Sequence, residues 1–136
     1  MMSAAVEAAL FKGYEVGSTN SVVVSHLQFA DDTLLLGVKS WANVRTLQAV
    51  LLLFEAMSGL KVNFLKSMLV GVNISDSWLA EATSTLHCKV GHVPFTYLGL
   101  SIGGDPRRLA FWDPVVHTIK SRLSGWKSRY LSFRVV

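Results

Sequence analysis

At 136 residues the chain is the size of one ordinary domain, long enough for a single core. Its composition, 51% apolar and 16% charged, excludes a disordered chain. No apolar run approaches the roughly 18 residues that a membrane span requires, so no membrane partner is expected.

Met1 to Leu10 has no basic leading segment and contains Glu7, so it does not read as a signal peptide. Ala4 to Phe11 predicts a short helix ended by Gly13. Ser21 to Phe29 (SVVVSHLQF) is rich in β-branched and aromatic residues and predicts a strand. Ala30, Asp31 and Asp32 form an acidic turn, and Thr33 to Val38 predicts the returning strand of a hairpin. Val44, Leu47, Leu51 and Phe54 recur at spacings of three and four, one face of a helix that Ser40 can cap and Gly59 can end.

Leu60 to Val72 reads as extended, with a break near Lys66 and Ser67. A short helix is predicted from about Ser77 to Leu86, with Asp76 or Ser75 as its cap. Val93 to Ile102 (VPFTYLGLSI) predicts a strand pair bounded by Gly103 and Gly104. In the last element, starting near Leu109, residues Trp112, Val116, Ile119, Leu123, Trp126 and Tyr130 alternate by four and three. That spacing predicts a narrow seam buried in the core, with Lys120 and Lys127 on one side and Arg122 and Arg129 on the other. Pro114 fits the first turn of such a helix, and Gly125 weakens its middle. Strands and helices mixed in this order predict an α+β fold.

The single cysteine, Cys88, excludes a disulfide framework and a cysteine-based zinc site, and suits a reducing, intracellular setting. His26, His87, His92 and His117 show no metal-ligand spacing. Charge is unevenly spread over the chain. Met1 to Pro106 holds six basic and eight acidic residues, whereas Arg107 to Val136 holds seven basic residues against Asp113 alone. A basic tail of this kind suits phosphate binding; the bland reading is a solvated helix face.

Asp31–Asp32 is the sharpest chemical feature. Adjacent carboxylates repel, and a divalent cation with a preference for hard oxygen ligands relieves that repulsion. Two such ions, about 3.5–4 Å apart, are the clamp used in phosphoryl transfer. The bland reading is a solvated turn, because Asp favours turns.

HLQFADDTLLLG (His26 to Gly37) resembles the catalytic FADD hairpin of reverse transcriptases from plant LINE-type, non-LTR retrotransposons. Three further blocks follow in that family's order. FEAMSGLKVNFLKS (Phe54 to Ser67) resembles the helix-turn-strand block, VPFTYLGLSIGG (Val93 to Gly104) the primer-grip hairpin, and WDPVVHTIKSRLSGWKSRYLSF (Trp112 to Phe133) the start of the thumb. AAVEAALFKGYEVG (Ala4 to Gly17) resembles the end of the helix before the hairpin.

The resemblance implies a partial reverse-transcriptase palm over residues 1–108 and the start of a thumb helix region over 109–136. Its activity would be RNA-directed DNA polymerisation by two-metal nucleotidyl transfer. Asp31 would then be a metal ligand, and Asp32 a second acidic group beside the metals. Lys66 would lie near the nucleotide's phosphates, with a surface lysine as the equal alternative. Tyr97, Leu98 and Gly99 would form the primer-grip turn, or else a packed strand end. Arg107, Arg108, Lys120, Arg122, Lys127 and Arg129 would be available to nucleic acid.

The implied cofactor is Mg²⁺ or Mn²⁺, two ions in a complete palm. The implied partners are an RNA template, a DNA primer and deoxynucleotide triphosphates, and the family suggests the nucleus. The family's other catalytic aspartate lies on an upstream palm strand with no counterpart here, so the chain is expected to be inactive alone. The alternatives are a non-catalytic nucleic-acid-binding remnant and a transposon-derived reading frame without function.

Overall fold

The computed structural model describes residues 1–127. They form a mixed α+β chain with four helices, three antiparallel strand pairs and one parallel pair. The chain divides into two compact units, Met1–Gly91 and the remainder from His92 on. Among the described residues no helix is long and apolar enough to cross a membrane.

Helix α1 (Met2–Glu7) opens the first unit and stops earlier than its sequence suggests. Ala9 adopts a left-handed conformation (φ 56°), which turns the chain so that Phe11 becomes buried. The single strand expected over Ser21 to Phe29 is two strands broken at Ser25. The first, β2 (Val22–Val24), pairs antiparallel with β1 (Tyr14–Val16), a partner the sequence did not reveal. The second, β3 (His26–Phe29), pairs antiparallel with β4 (Asp32–Leu35).

Helix α2 (Trp41–Ser58) forms as its spacing and caps predict. The Ser40 hydroxyl accepts the Asn43 backbone N–H at 3.0 Å, and Gly59 ends the helix at φ 70°. Beyond it, Glu55 Oε1 accepts the Val62 N–H at 2.7 Å and folds the following segment back on the helix. Strand β5 (Met68–Val70), helix α3 (Asp76–Leu86) and strand β6 (Lys89–Gly91) make a parallel pair joined through a helix, the connection parallel strands require. Ser75 occupies the cap position of α3 without a side-chain hydrogen bond. Val44, Ala82 and Leu86 form the core between α2 and α3, with Leu47, Leu69, Trp78 and Cys88 packed against it.

The second unit begins with the hairpin of β7 (Phe95–Tyr97) and β8 (Leu100–Ile102), followed by helix α4, described over Leu109–Lys127. Two expectations for α4 are corrected. Pro114 sits inside the helix as its sixth residue, not in the first turn, and so lacks the N–H that would bond the Ala110 carbonyl. The seam is not buried: Trp112, Val116, Ile119 and Leu123 are 42–51% exposed. The half-buried face is instead that of Phe111 and Val115, where the Phe111 ring lies so close to Gly104 that a Cβ there would meet it at 2.7 Å. Tyr130 and Arg129 lie outside the described residues.

Candidate functional site

The β3–β4 hairpin carries the paired acids. Its register pairs His26 with Leu35, Leu27 with Leu34, Gln28 with Thr33 and Phe29 with Asp32, leaving Ala30 and Asp31 as a two-residue turn. A right-twisted hairpin favours turns with positive φ at the first central position, and Ala30 has φ 52°. An alanine held there costs about 1–2 kcal/mol relative to right-handed backbone. Asp31 therefore sits in the turn and Asp32 is the first residue of β4, both exposed. Among the described residues neither carboxylate makes a hydrogen bond or ion pair.

The base of this hairpin is fixed by a residue that the sequence reading passed over. Asn43, 5% exposed, accepts the Lys12 backbone N–H at 2.8 Å. Its amide group donates to the Lys12 carbonyl at 2.8 Å and to the Val38 carbonyl at 2.9 Å. Gly13 and Gly37 bridge antiparallel beside it, and a Cβ on Gly37 would come within 2.6 Å of the Phe11 ring. Leu36 N–H donates to the Ser25 carbonyl at 2.8 Å, and Thr46 Oγ1 to the Leu10 carbonyl at 2.8 Å. The acids thus project from a short ladder whose far end is bonded to the first turn of α2.

The chain matches no family model, no curated protein and no solved structure.

Lys66 belongs to the same unit but to a different local structure. It closes a turn organised by Asn63, whose side chain accepts the Lys66 N–H at 3.1 Å and whose carbonyl accepts the Lys66 and Ser67 N–H groups at 3.0 Å. The break expected near Lys66 and Ser67 is this turn. The Lys66 side chain is exposed, and among the described residues no ion pair joins it to Asp31 or Asp32.

In the second unit Tyr97 ends β7, while Leu98 and Gly99 form the turn, both with positive φ (52° and 79°). That is the primed geometry tight hairpins favour. Arg107, Arg108, Lys120 and Arg122 are exposed. Arg108 pairs with Asp105 at 3.6 Å, a solvated contact of small energetic weight. Lys127 ends the described part of α4.

The implied metal ions can be tested against these residues. Asp31 and Asp32 offer hard oxygen donors from a two-residue segment. Among the described residues, however, no group of three or more His, Cys, Asp or Glu gathers closely enough to hold a metal. A two-ion site with bridging carboxylates does not fit this donor set. An apolar cleft of about 190 Å³ beside α2, lined by Gln48, Leu51, Leu52, Phe64, Leu86 and His87, has no carboxylate to serve such chemistry.

Cys88, half-buried against the core, has its thiol pushed above the ordinary range. Burial is the main cause, partly offset by backbone hydrogen bonds at Cys88 and Leu69. A thiol kept protonated in this way is a packing group and not a nucleophile.

Proposed function

We propose that this chain carries the catalytic-hairpin part of a reverse-transcriptase palm of the plant LINE type, one portion of an RNA-directed DNA polymerase. The observation that carries the proposal is the pair Asp31 and Asp32 at the tip of a tight hairpin anchored by Asn43. Two carboxylates on a braced ladder would present hard oxygen donors to a divalent cation with little ordering cost, whereas the same residues in a loose loop would have to be fixed first. The four sequence blocks in the family's order, from His26 to Phe133, support the same reading. Lys66 and the Tyr97–Leu98–Gly99 turn belong to it by resemblance.

The donor set further requires a carboxylate from another strand, so nucleotidyl transfer is proposed only for a complex that supplies one. The test is primer extension on an RNA template by the chain joined to a reverse-transcriptase fingers and palm segment bearing that carboxylate. Extension lost in Asp31→Ala is the expected result. No extension, or extension indifferent to Asp31→Ala, would sink the proposal.

A second reading, nucleic-acid binding without catalysis, is favoured by the exposure of Arg107, Arg108, Lys120 and Arg122 in a segment whose one acid is Asp113. Affinity for an RNA–DNA duplex should then fall steeply with salt and survive Asp31→Ala.

A further inference from the structure

We draw no further inference here: the strongest candidate, the exposed apolar seam of Trp112, Val116, Ile119 and Leu123 on α4, is bordered by Asp113 as well as by Lys120 and Arg122, so charge selects no occupant and nothing in the structure shows what covers it.

Discussion

Asn43 and Lys12 form a two-way backbone clasp, the Asn43 side chain accepting the Lys12 N–H and donating to the Lys12 carbonyl, each at 2.8 Å. An asparagine amide reproduces the donor–acceptor pair of a neighbouring strand, so a helix residue braces the backbone beside the Gly13–Gly37 bridge. Asn43→Ala leaves the Lys12 N–H and the Val38 carbonyl without these partners near the core, the Lys12 carbonyl keeping the Val38 N–H at 3.2 Å, and should lower stability by about 2–4 kcal/mol in urea unfolding. Asn43→Asp keeps the shape but loses both donors and turns a carboxylate toward the Lys12 and Val38 carbonyls. Its deficit at neutral pH should equal or exceed that of alanine. The deficit should narrow in acid, where a protonated carboxyl can donate again.

Gly37 is tied to the same clasp by steric need. A methyl group there would lie 2.6 Å from Phe11 Cζ, 3.0 Å from the Asn43 amide nitrogen and 3.2 Å from the Lys12 carbonyl oxygen. Gly37→Ala should therefore cost about 1–3 kcal/mol. Phe11→Leu alone should also destabilise, because Phe11 is buried. If the clash is with the ring, the double variant should be less destabilised than the sum of the two, by about 0.5 kcal/mol or more.

Local signals carried the first half of the fold further than the second. The Ser40 cap, the Gly59 stop and the Val44 stripe are all nearest-neighbour chemistry along a helix, and α2 follows them closely. The turn at Ala30 and Asp31 was legible because its strands are β-branched and its tip is acidic. Strands β1 and β6 were not, since each is three residues long and is defined only by its partner, the neighbouring β2 for β1 and, across α3, β5 for β6.

For the site, the acids were visible and their anchor was not. Asn43 lies four residues before Leu47 and eight before Leu51, inside the apolar stripe, and a polar residue in that stripe is itself a signal of a buried hydrogen-bond hub. In α4 the four-and-three spacing marks a seam that is exposed where burial was expected, because periodicity does not tell which side of a helix is covered. The half-buried residues are Phe111, beside Gly104, and Val115.

Cys88 links packing to pH. Its folded pKa is raised, so the unfolded chain gives up the thiol proton at lower pH than the folded chain does. The folded state then holds more protons above the unfolded pKa, and stability falls as pH rises through that point. The contribution is intact at neutral and acid pH and is lost in the alkaline range. Denaturation midpoints should drop between neutral and alkaline buffers more in the wild type than in Cys88→Ala. Alkylation of the native thiol at neutral pH should be slower than that of the urea-unfolded chain.

The hairpin acids allow stability and chemistry to be separated. Asp31 is exposed in the turn and Asp32 pairs through its backbone with Phe29, so neither carboxylate holds the fold together. Asp31→Asn and Asp32→Asn should each leave the unfolding midpoint within about 0.5 kcal/mol of wild type, as surface changes do. Stability should even rise slightly if the two charges repel. In primer extension by the complemented polymerase, the same Asp31→Asn change should reduce the rate by about a hundredfold or more, beyond the loss typical of groups that only orient a ligand. Ala30→Gly provides the internal control. It relaxes the positive φ without touching a carboxylate, so it should keep activity and leave stability nearly unchanged, because relief of strain is offset by the freedom glycine adds to the unfolded chain. Activity lost equally in Ala30→Gly and Asp31→Asn would mean that the turn's shape matters and its charge does not, and the catalytic assignment of Asp31 would have to be abandoned.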